Sequence, residues 1–310
     1  MPNATGMPAA GPPADRTVSR EIAVHTLRGE VGALLARAGV DDADVEARDL
    51  IAAVVGEARF WPSLHRDAML RAEQALAARR AARARAAGAP FAYAVGRAAF
   101  RHLTLMVDDR VLIPRQETEL LIDAVNGWVA EDPRRSGGIA IDVGTGSGAL
   151  ALALANEGRF ERVIATDISS GAVAVARTNV ARLASVLRAP VEVRAGALLA
   201  PVHGLQARVI VSNPPYISYS EAPALPRQVR DWEPPIALFA GNGGLAVTSA
   251  LILGAAEVLE PGGLLAIEVD SQRALATADL LRADGRYDEV RIRPDLTGRD
   301  RILMTTRKDG

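Results

Sequence analysis

From Ile139 onwards the chain repeats one unit, a short apolar run followed by a stretch with helical spacing, and that alternation restricts its fold more than any other feature. The runs are Ile139–Val143, Val163–Ile168, Val191–Arg194, Val209–Ser212 and Leu264–Val269. Helical stretches such as Leu150–Asn156, Gly171–Leu183 and Gly244–Leu259 separate most of them. Short, continuously apolar runs are the signature of strands covered on both faces. Strands joined through helices run parallel, because the crossover returns the chain to the end of the sheet where it started. The pattern therefore predicts an α/β fold with a doubly wound, mainly parallel sheet. Two last runs, Glu289–Arg293 and Arg301–Thr306, lie too close together for a helical crossover, and predict an antiparallel edge.

The part of the chain before this alternation reads differently. Leu27, Val31, Leu34 and Leu35 recur at helical spacing until Gly39. Asp41, Asp42 and Asp44 are placed to cap a second helix that runs through Val45, Leu50, Ile51 and Val54 to Gly56. A third helical stretch, Asp67 to Ala87, carries Arg71, Arg79, Arg80, Arg83 and Arg85. Those arginines read first as a solvated face, and alternatively as a docking surface for a ribosome-associated or acidic partner. Gly88-Ala89-Pro90 ends the pattern. Residues 19–95 are thus expected to form a small helical domain. In residues 96–116 the spacing changes to alternation: Leu103, Leu105, Val107, then Val111 and Ile113, on either side of Asp108-Asp109. This predicts a β-hairpin linking the helical domain to a sheet domain over residues 117–310. Residues 1–18, rich in Pro, Ala and Gly, read as a disordered leader.

Composition excludes several chemistries. The chain has no cysteine, which removes disulfides, thiolate metal sites and a cysteine nucleophile. Its histidines, His25, His65, His102 and His203, show no ligand-like spacing, so no metal site is expected. A net charge of −1 gives no basic field for bulk nucleic-acid binding. No apolar run approaches the ~20 residues that cross a bilayer, and the expected location is the cytoplasm. Lys308 is the sole lysine among 36 basic residues, a bias that reflects genomic base composition rather than chemistry.

Two motifs carry the candidate site. The first is Asp142-Val-Gly144-Thr145-Gly146-Ser147-Gly148, where a strand runs into a glycine turn and then a helix. Glycines allow a tight turn and let a ligand lie against the backbone, and the helix start behind them offers free N–H groups. Asp167 follows at the end of the next strand, where its carboxylate can accept hydrogen bonds from both ribose hydroxyls of a nucleoside cofactor. The loop alone fits a dinucleotide-binding oxidoreductase equally well.

The second motif is Asn213-Pro214-Pro215-Tyr216, at the end of a later strand. Consecutive prolines fix φ twice and remove two backbone donors. The Asn213 side-chain oxygen and the Pro214 carbonyl remain as acceptors, which suits an –NH₂ group and not an anion. The lone pair of an amide nitrogen is delocalised, so the group is a poor nucleophile. Two fixed acceptors can turn that lone pair towards an electrophilic methyl group, so that positioning supplies most of the catalysis. Tyr216 is placed to pack against the planar group.

These segments resemble the HemK-type methyltransferases, the peptide chain release factor N(5)-glutamine methyltransferases, over nearly the whole chain from about Glu30. Also matching are Val111-Leu-Ile-Pro-Arg115-Gln-Glu117-Thr-Glu119-Leu-Leu, Val229-Arg-Asp-Trp-Glu-Pro234, Ala237-Leu-Phe-Ala-Gly241, Leu259-Glu-Pro-Gly-Gly263 and Asp295-Leu-Thr-Gly-Arg-Asp-Arg301. The resemblance implies a class I methyltransferase fold and S-adenosyl-L-methionine (SAM) as cofactor. It places the cofactor on Asp142 and Gly144 to Gly148, with Asp167 at the ribose, Ile168, Ala197 and Leu198 around the adenine, and Asn213 at the methyl end. It also implies that Asn213, Pro214, Pro215 and Tyr216 hold the glutamine of the Gly-Gly-Gln motif in class 1 translation release factors, and that the enzyme acts as a monomer. Three positions depart from the family pattern. Gln116 replaces a proline, Ala197 replaces an acid at the adenine, and Asp270 stands where Glu-x-Gly is usual. Within the same chemistry, the alternative is a relative that methylates another protein, a small metabolite or a nucleobase. A non-catalytic cofactor-binding module is the alternative from a different class.

Overall fold

The computed structural model describes residues 21–309, so the expected leader lies outside the described residues. The chain divides into two compact units after Val95.

The first unit is helical. Helices α1 (Val24–Arg37), α2 (Ala43–Val55) and α3 (Ala72–Ala86) bury Leu27, Val31 and Leu35 against Leu50 and Ile51 and against an alanine face, Ala75, Ala78 and Ala82. Alanines at that spacing let the helix axes approach closely. Gly39 and Gly56 adopt φ of 75° and 81°, the left-handed conformation that ends a helix. The aspartates ahead of α2 behave otherwise than expected. Asp42 occupies the N-cap position, but its φ of 48° turns the side chain away and no capping bond forms. Asp44 instead accepts from Arg28 Nε of α1 at 2.9 Å. The solvated arginine face is also only partly realised. Arg80 and Arg83 are exposed, but Arg79 donates to Glu30 of α1 at 2.7 Å. Arg85 is buried, and it donates to Glu46 of α2 and to the Ala89 carbonyl. A guanidinium there stitches two helices and the following loop together, because each of its donors finds a partner in the fold. A two-residue strand pair, Ile22–Ala23 with Met69–Leu70, went unanticipated because so short a pairing leaves no period in the sequence.

The second unit opens with a hairpin of β1 (Arg97–Phe100) and β2 (Leu103–Met106). Its turn is at Arg101-His102, with Arg101 at φ 53°, and not at Asp108-Asp109. The sequence misleads because β1 is mostly small, Ala98 and Ala99, and shows little apolar alternation of its own. Asp108 instead closes a separate turn by accepting from Val111 N at 3.1 Å, and Val111 and Ile113 form no strand. Arg101 is fixed by Glu119, Asp123 and Glu157, which pins the hairpin to the rest of its unit.

Helix α4 (Gln116–Glu131) leads into β3 (Ile139–Val143), α5 (Ala149–Glu157), β4 (Arg162–Asp167), α6 (Ser170–Leu183), β5 (Val191–Ala195) and β6 (Ala207–Ser212). Then come α7 (Ala246–Val258), β7 (Leu259–Glu268), α8 (Ala274–Asp284), β8 (Arg291–Pro294) and β9 (Asp300–Thr306). One seven-stranded sheet has the order β8-β9-β7-β6-β3-β4-β5, with every strand running the same way except β9, which pairs antiparallel with both its neighbours. This is the class I methyltransferase architecture. Ile141, Ile210, Leu265 and Ile267 are among the side chains that bury one sheet face against Leu251 and Ala255 of α7 and Ala278 and Leu281 of α8. From β3 the order proceeds outwards through β4 and β5, then restarts on the other side with β6. The carboxyl ends of β3 and β6 therefore diverge into a crevice at this switch point, the place where open α/β sheets bind ligands.

Candidate functional site

At the end of β3 the Asp142 side chain is buried, and its Oδ2 accepts from Thr145 Oγ1 at 2.6 Å and from Ala151 N at 3.0 Å. Ala151 lies in the first turn of α5, so one carboxylate ties the loop to a free helix-start N–H group. Among the described residues its Oδ1 has no hydrogen-bond partner. Burial pushes the carboxyl up to about 7, against the two hydrogen bonds that favour its ionised form. Thr145 and Ser147 are buried beside it, and Ser147 O accepts from Asn179 Nδ2 at 2.9 Å.

The glycines of the loop divide into two kinds. A Cβ at Gly148 would lie 3.2 Å from Leu152 and 3.6 Å from Ala176, so this glycine lets α5 and α6 pack closely. At Gly144 and Gly146, with φ of 74° and 56°, a Cβ would meet nothing within 4 Å. Both line a cavity of ≈ 430 Å³. Bare backbone facing open space is the cradle a nucleoside cofactor requires. Asp167, at the end of β4, accepts from Gly146 N at 2.9 Å and from Ser169 N at 2.8 Å. Burial raises its carboxyl, and the backbone donors oppose that shift. Ile168, Ala197 and Leu198 complete this end of the cavity. Leu198 is held at φ 48° with its carbonyl accepting from Thr166 Oγ1 at 2.9 Å. The wall at Ala197 is apolar, and the nearby guanidinium of Arg110 is taken up by Asp108 at 2.8 Å.

At the other end the cavity is lined by Asn213 and Pro215, with Phe239 and Pro234. The fold thus brings Gly144, Gly146, Asp167, Ile168, Ala197, Leu198, Asn213 and Pro215 onto one cavity. Asp142, Thr145, Ser147 and Gly148 stand behind its wall. Pro214 is buried and Tyr216 does not line the cavity. The Tyr216 phenol is raised to about 12, first by burial and then by Glu268, with Arg301 opposing. The backbone behind this turn is crowded. A Cβ on Gly244, at φ 93°, would sit 2.0 Å from the Tyr216 carbonyl oxygen.

Several supporting side chains find partners that no local sequence pattern announces. Glu233 is buried, pairs with Arg115, and accepts from Ile113 N at 3.3 Å. It therefore joins the segment after the hairpin to the loop following Asn213-Pro214-Pro215-Tyr216. Thr118, in the first turn of α4, accepts from Asn213 Nδ2 at 3.0 Å and donates to Glu268 Oε2 at 2.6 Å. Asp295 accepts from Thr297 N at 2.8 Å and Arg299 N at 3.1 Å, and it pairs with Arg301 at 3.3 Å. Asp270, the departure at the end of β7, pairs with Arg273 at 2.7 Å, and Arg273 Nε donates to Gly243 O at 2.8 Å. Most of these lie inside segments whose sequence stands out, but who partners whom is set by the tertiary fold.

Among the described residues, no group of three or more His, Cys, Asp or Glu is placed to hold a metal ion. No helix among them is long and apolar enough to cross a membrane.

Comparison with known proteins gives the context. Residues 27–96 match the model of the PrmC N-terminal domain, and residues 117–225 that of the methyltransferase small domain. The release factor glutamine methyltransferase of Moorella thermoacetica is 42% identical over 289 residues, spanning 91% of this chain and 97% of that protein. The protein of the same name from Deinococcus radiodurans is 38% identical over 307 residues, 93% and 99% of the two chains. Among solved structures, the hMettl16 catalytic domain in complex with the MAT2A 3′UTR hairpin 6 superposes with a TM-score of 0.50 over 78% of this chain and 84% of that one. At 17% identity that likeness concerns the fold alone. The sequence relatives extend through both units and both motifs, and by them the chain belongs to the release factor glutamine methyltransferase family.

Proposed function

We propose that this enzyme transfers a methyl group from SAM to the side-chain amide nitrogen of the glutamine in the Gly-Gly-Gln motif of class 1 release factors. The observation that carries the reading is the shared cavity. The glycine loop with Asp167 forms one end and Asn213 with Pro215 the other, so a nucleoside and a planar amide would meet inside one enclosure. Relatives named for glutamine methylation of release factors support the substrate.

Gly144 and Gly146 would cradle the cofactor, and Asp167 would accept from its ribose hydroxyls. Ile168, Ala197 and Leu198 would flank the adenine by apolar contact. Asp142, Thr145, Ser147 and Gly148 would hold the loop in shape from behind. When bound, the cofactor supplies an electrophilic methyl group on a sulfonium. Asn213 Oδ1 and the Pro214 carbonyl would accept the two amide N–H bonds of glutamine, turning its nitrogen lone pair towards that methyl. Pro215 would line the amide's end of the cavity, and Tyr216, which does not line it, would brace the turn from behind. Fixed dipoles aimed at the nitrogen favour its pyramidal, positively charged form over the planar ground state, which lowers the barrier to transfer. The methylated nitrogen is acidic and loses its proton to solvent. The helical unit is assigned to docking the release factor, and such a substrate would place the enzyme in the cytoplasm.

Mass spectrometry of the Gly-Gly-Gln peptide, after incubation of a release factor with enzyme and saturating SAM, tests the proposal. One added methyl group on glutamine is expected. Unmodified glutamine, with cofactor binding shown in the same sample, would refute the substrate.

A further inference from the structure

A primary amide has nearly the same shape with its oxygen and its –NH₂ exchanged, so Asn213 does not by itself define an acceptor. Holding a substrate –NH₂ requires the oxygen to face the cavity and the nitrogen to face the protein. Something must choose between the two orientations.

We propose that Thr118 and Glu268 are positioning residues that fix the Asn213 side chain with its oxygen towards the substrate. The inference rests on the amide-holding role given to Asn213 above. Its geometry is a directed chain of hydrogen bonds. Glu268 Oε2 accepts the Thr118 hydroxyl at 2.6 Å, and Thr118 Oγ1 accepts from Asn213 Nδ2 at 3.0 Å. A hydroxyl has one proton to give, and an ionised carboxylate can only accept. With that proton committed to Glu268, Thr118 presents a lone pair to Asn213, which must answer with its –NH₂. No described residue donates to Asn213 Oδ1, and Asn213 lines the cavity.

The chain is built where chance surface pairing cannot account for it. Thr118 is 5% exposed and Glu268 2%. Among the described residues no Arg or Lys nitrogen approaches Glu268 within salt-bridge distance, and its one side-chain hydrogen bond comes from Thr118. A buried carboxylate with so little compensation costs stability, so packing gives no reason for it and orientation of Asn213 does.

The groups facing Glu268 set when the chain points this way. Arg301 of β9 and Arg115 ahead of α4 favour its ionised form, while burial and Glu117 oppose it, and the Tyr216 phenol lies alongside. Burial is the largest effect and raises the carboxyl to about 7. Once protonated, Glu268 can donate to Thr118, Thr118 can donate to Asn213, and the amide can reverse to present –NH₂ to the cavity. Two donors then face each other and the substrate amide is no longer held. Methyl transfer is expected to rise with pH through the ionisation of Glu268, without a matching change in SAM affinity.

The test uses the full chain and three variants: Thr118→Val, Thr118→Ser and Glu268→Gln. Three quantities are read: the single-turnover methylation rate, the SAM dissociation constant, and the ¹⁵N–¹H signal of the Asn213 side-chain amide without substrate, assigned by its loss in Asn213→Asp. Thr118→Val is expected to lower the rate by about 10²–10³, as loss of one preorganised hydrogen-bonding group does. Glu268→Gln, whose amide can either accept from or donate to Thr118, is expected to lower it by less, because the direction of the chain is no longer fixed. SAM affinity stays at the wild-type value, and the Asn213 signal shifts. Thr118→Ser keeps the hydroxyl, and should keep both the rate and the signal. The pH inflection should vanish in Glu268→Gln. The proposal is overturned if Thr118→Val leaves the rate or the Asn213 signal unchanged. It is also overturned if Thr118→Ser fails as badly as Thr118→Val, or if SAM binding falls in step with the rate. If Thr118→Val does not fold, Glu268→Gln decides by the same readings. A wild-type enzyme that leaves Gly-Gly-Gln unmodified refutes the substrate, and the Asn213 signal still decides the hydrogen-bond chain.

Discussion

The substitution Asp142→Asn should make this enzyme more stable at high pH while leaving it nearly unchanged in mild acid. The carboxyl is 1% exposed, and one of its two oxygens has no hydrogen-bond partner among the described residues. Burial raises it to about 7 in the fold from 3.8, its ordinary value. A group whose folded pKa is raised binds more protons in the native state between those two values. Stability from this group is therefore complete below about pH 4 and is lost as pH rises towards 7. At 1.36 kcal/mol per pKa unit the loss is about 4 kcal/mol. The introduced amide would place its oxygen where Oδ2 accepts from Thr145 and Ala151, and its –NH₂ where the protonated acid carries its own donor. The two side chains are then equivalent in acid, to within about 1 kcal/mol for the extra buried N–H. Near pH 8 the variant should be the more stable by up to ~4 kcal/mol, because it buries no charge. Urea unfolding of the cofactor-free enzyme and its variant, compared at intervals from about pH 4.5 to about pH 8.5, measures the difference. Glu268 titrates in both proteins and cancels, whereas the charge of Asp167 is one of the groups that raise Asp142. Parallel profiles would refute the reasoning, because they require a carboxylate already ionised and satisfied in the fold.

Substitutions at four further positions probe the site and its frame. Asn213→Ala removes the side chain proposed to accept from the substrate amide, so turnover should fall by about 10²–10³ while SAM affinity, measured by calorimetry, holds. Gly244→Ala places a Cβ 2.0 Å from the Tyr216 carbonyl at φ 93°. It should cost at least ~2 kcal/mol and much of the activity, whereas Gly243→Ala, at φ 63° with open space around it, should cost only about 1 kcal/mol. Glu233→Ala leaves Arg115 and the Ile113 N–H without their buried partner. A loss of about 3 kcal/mol in denaturant unfolding is expected, with Glu233→Gln recovering part of it through its remaining acceptor.

Sequence and structure agree best where a single physical rule acts locally. The strands Ile139–Val143 and Val209–Ser212 are legible because burial on both faces forces unbroken apolar runs. The edge formed by β8 and β9 is legible because too few residues separate them for a crossover. The hairpin turn was misplaced because β1 satisfies its pairing with Ala98 and Ala99, which carry no alternating signal, while Asp108-Asp109 is a turn of a different kind. The aspartates before α2 look like caps by composition. Yet Asp44 finds a guanidinium one helix away, and nothing in the local sequence could announce it.

The same distinction runs through the site. Gly144, Gly146, Asp167 and Asn213, which the fold brings onto one cavity, stand out in the sequence because their residue types are rare solutions to local demands: bare backbone, a strand-end carboxylate, an acceptor on a proline-fixed turn. Thr118 and Glu268 have no such signature. Their role depends on a hydroxyl near the start of α4 meeting a strand-end carboxylate 150 positions away, a distance that no periodicity or spacing rule spans. The departures are of this second kind as well. Asp270 replaces the usual residue, but Arg273 both neutralises it and holds the Gly243 carbonyl, so the exchange is absorbed by a partner three residues on. A motif thus identifies which atoms can touch a substrate, while the direction in which those atoms point is decided by buried neighbours. With Asn213 holding the substrate amide as proposed, direction is the catalytic quantity, and it is assigned to Thr118 and Glu268 as much as to Asn213.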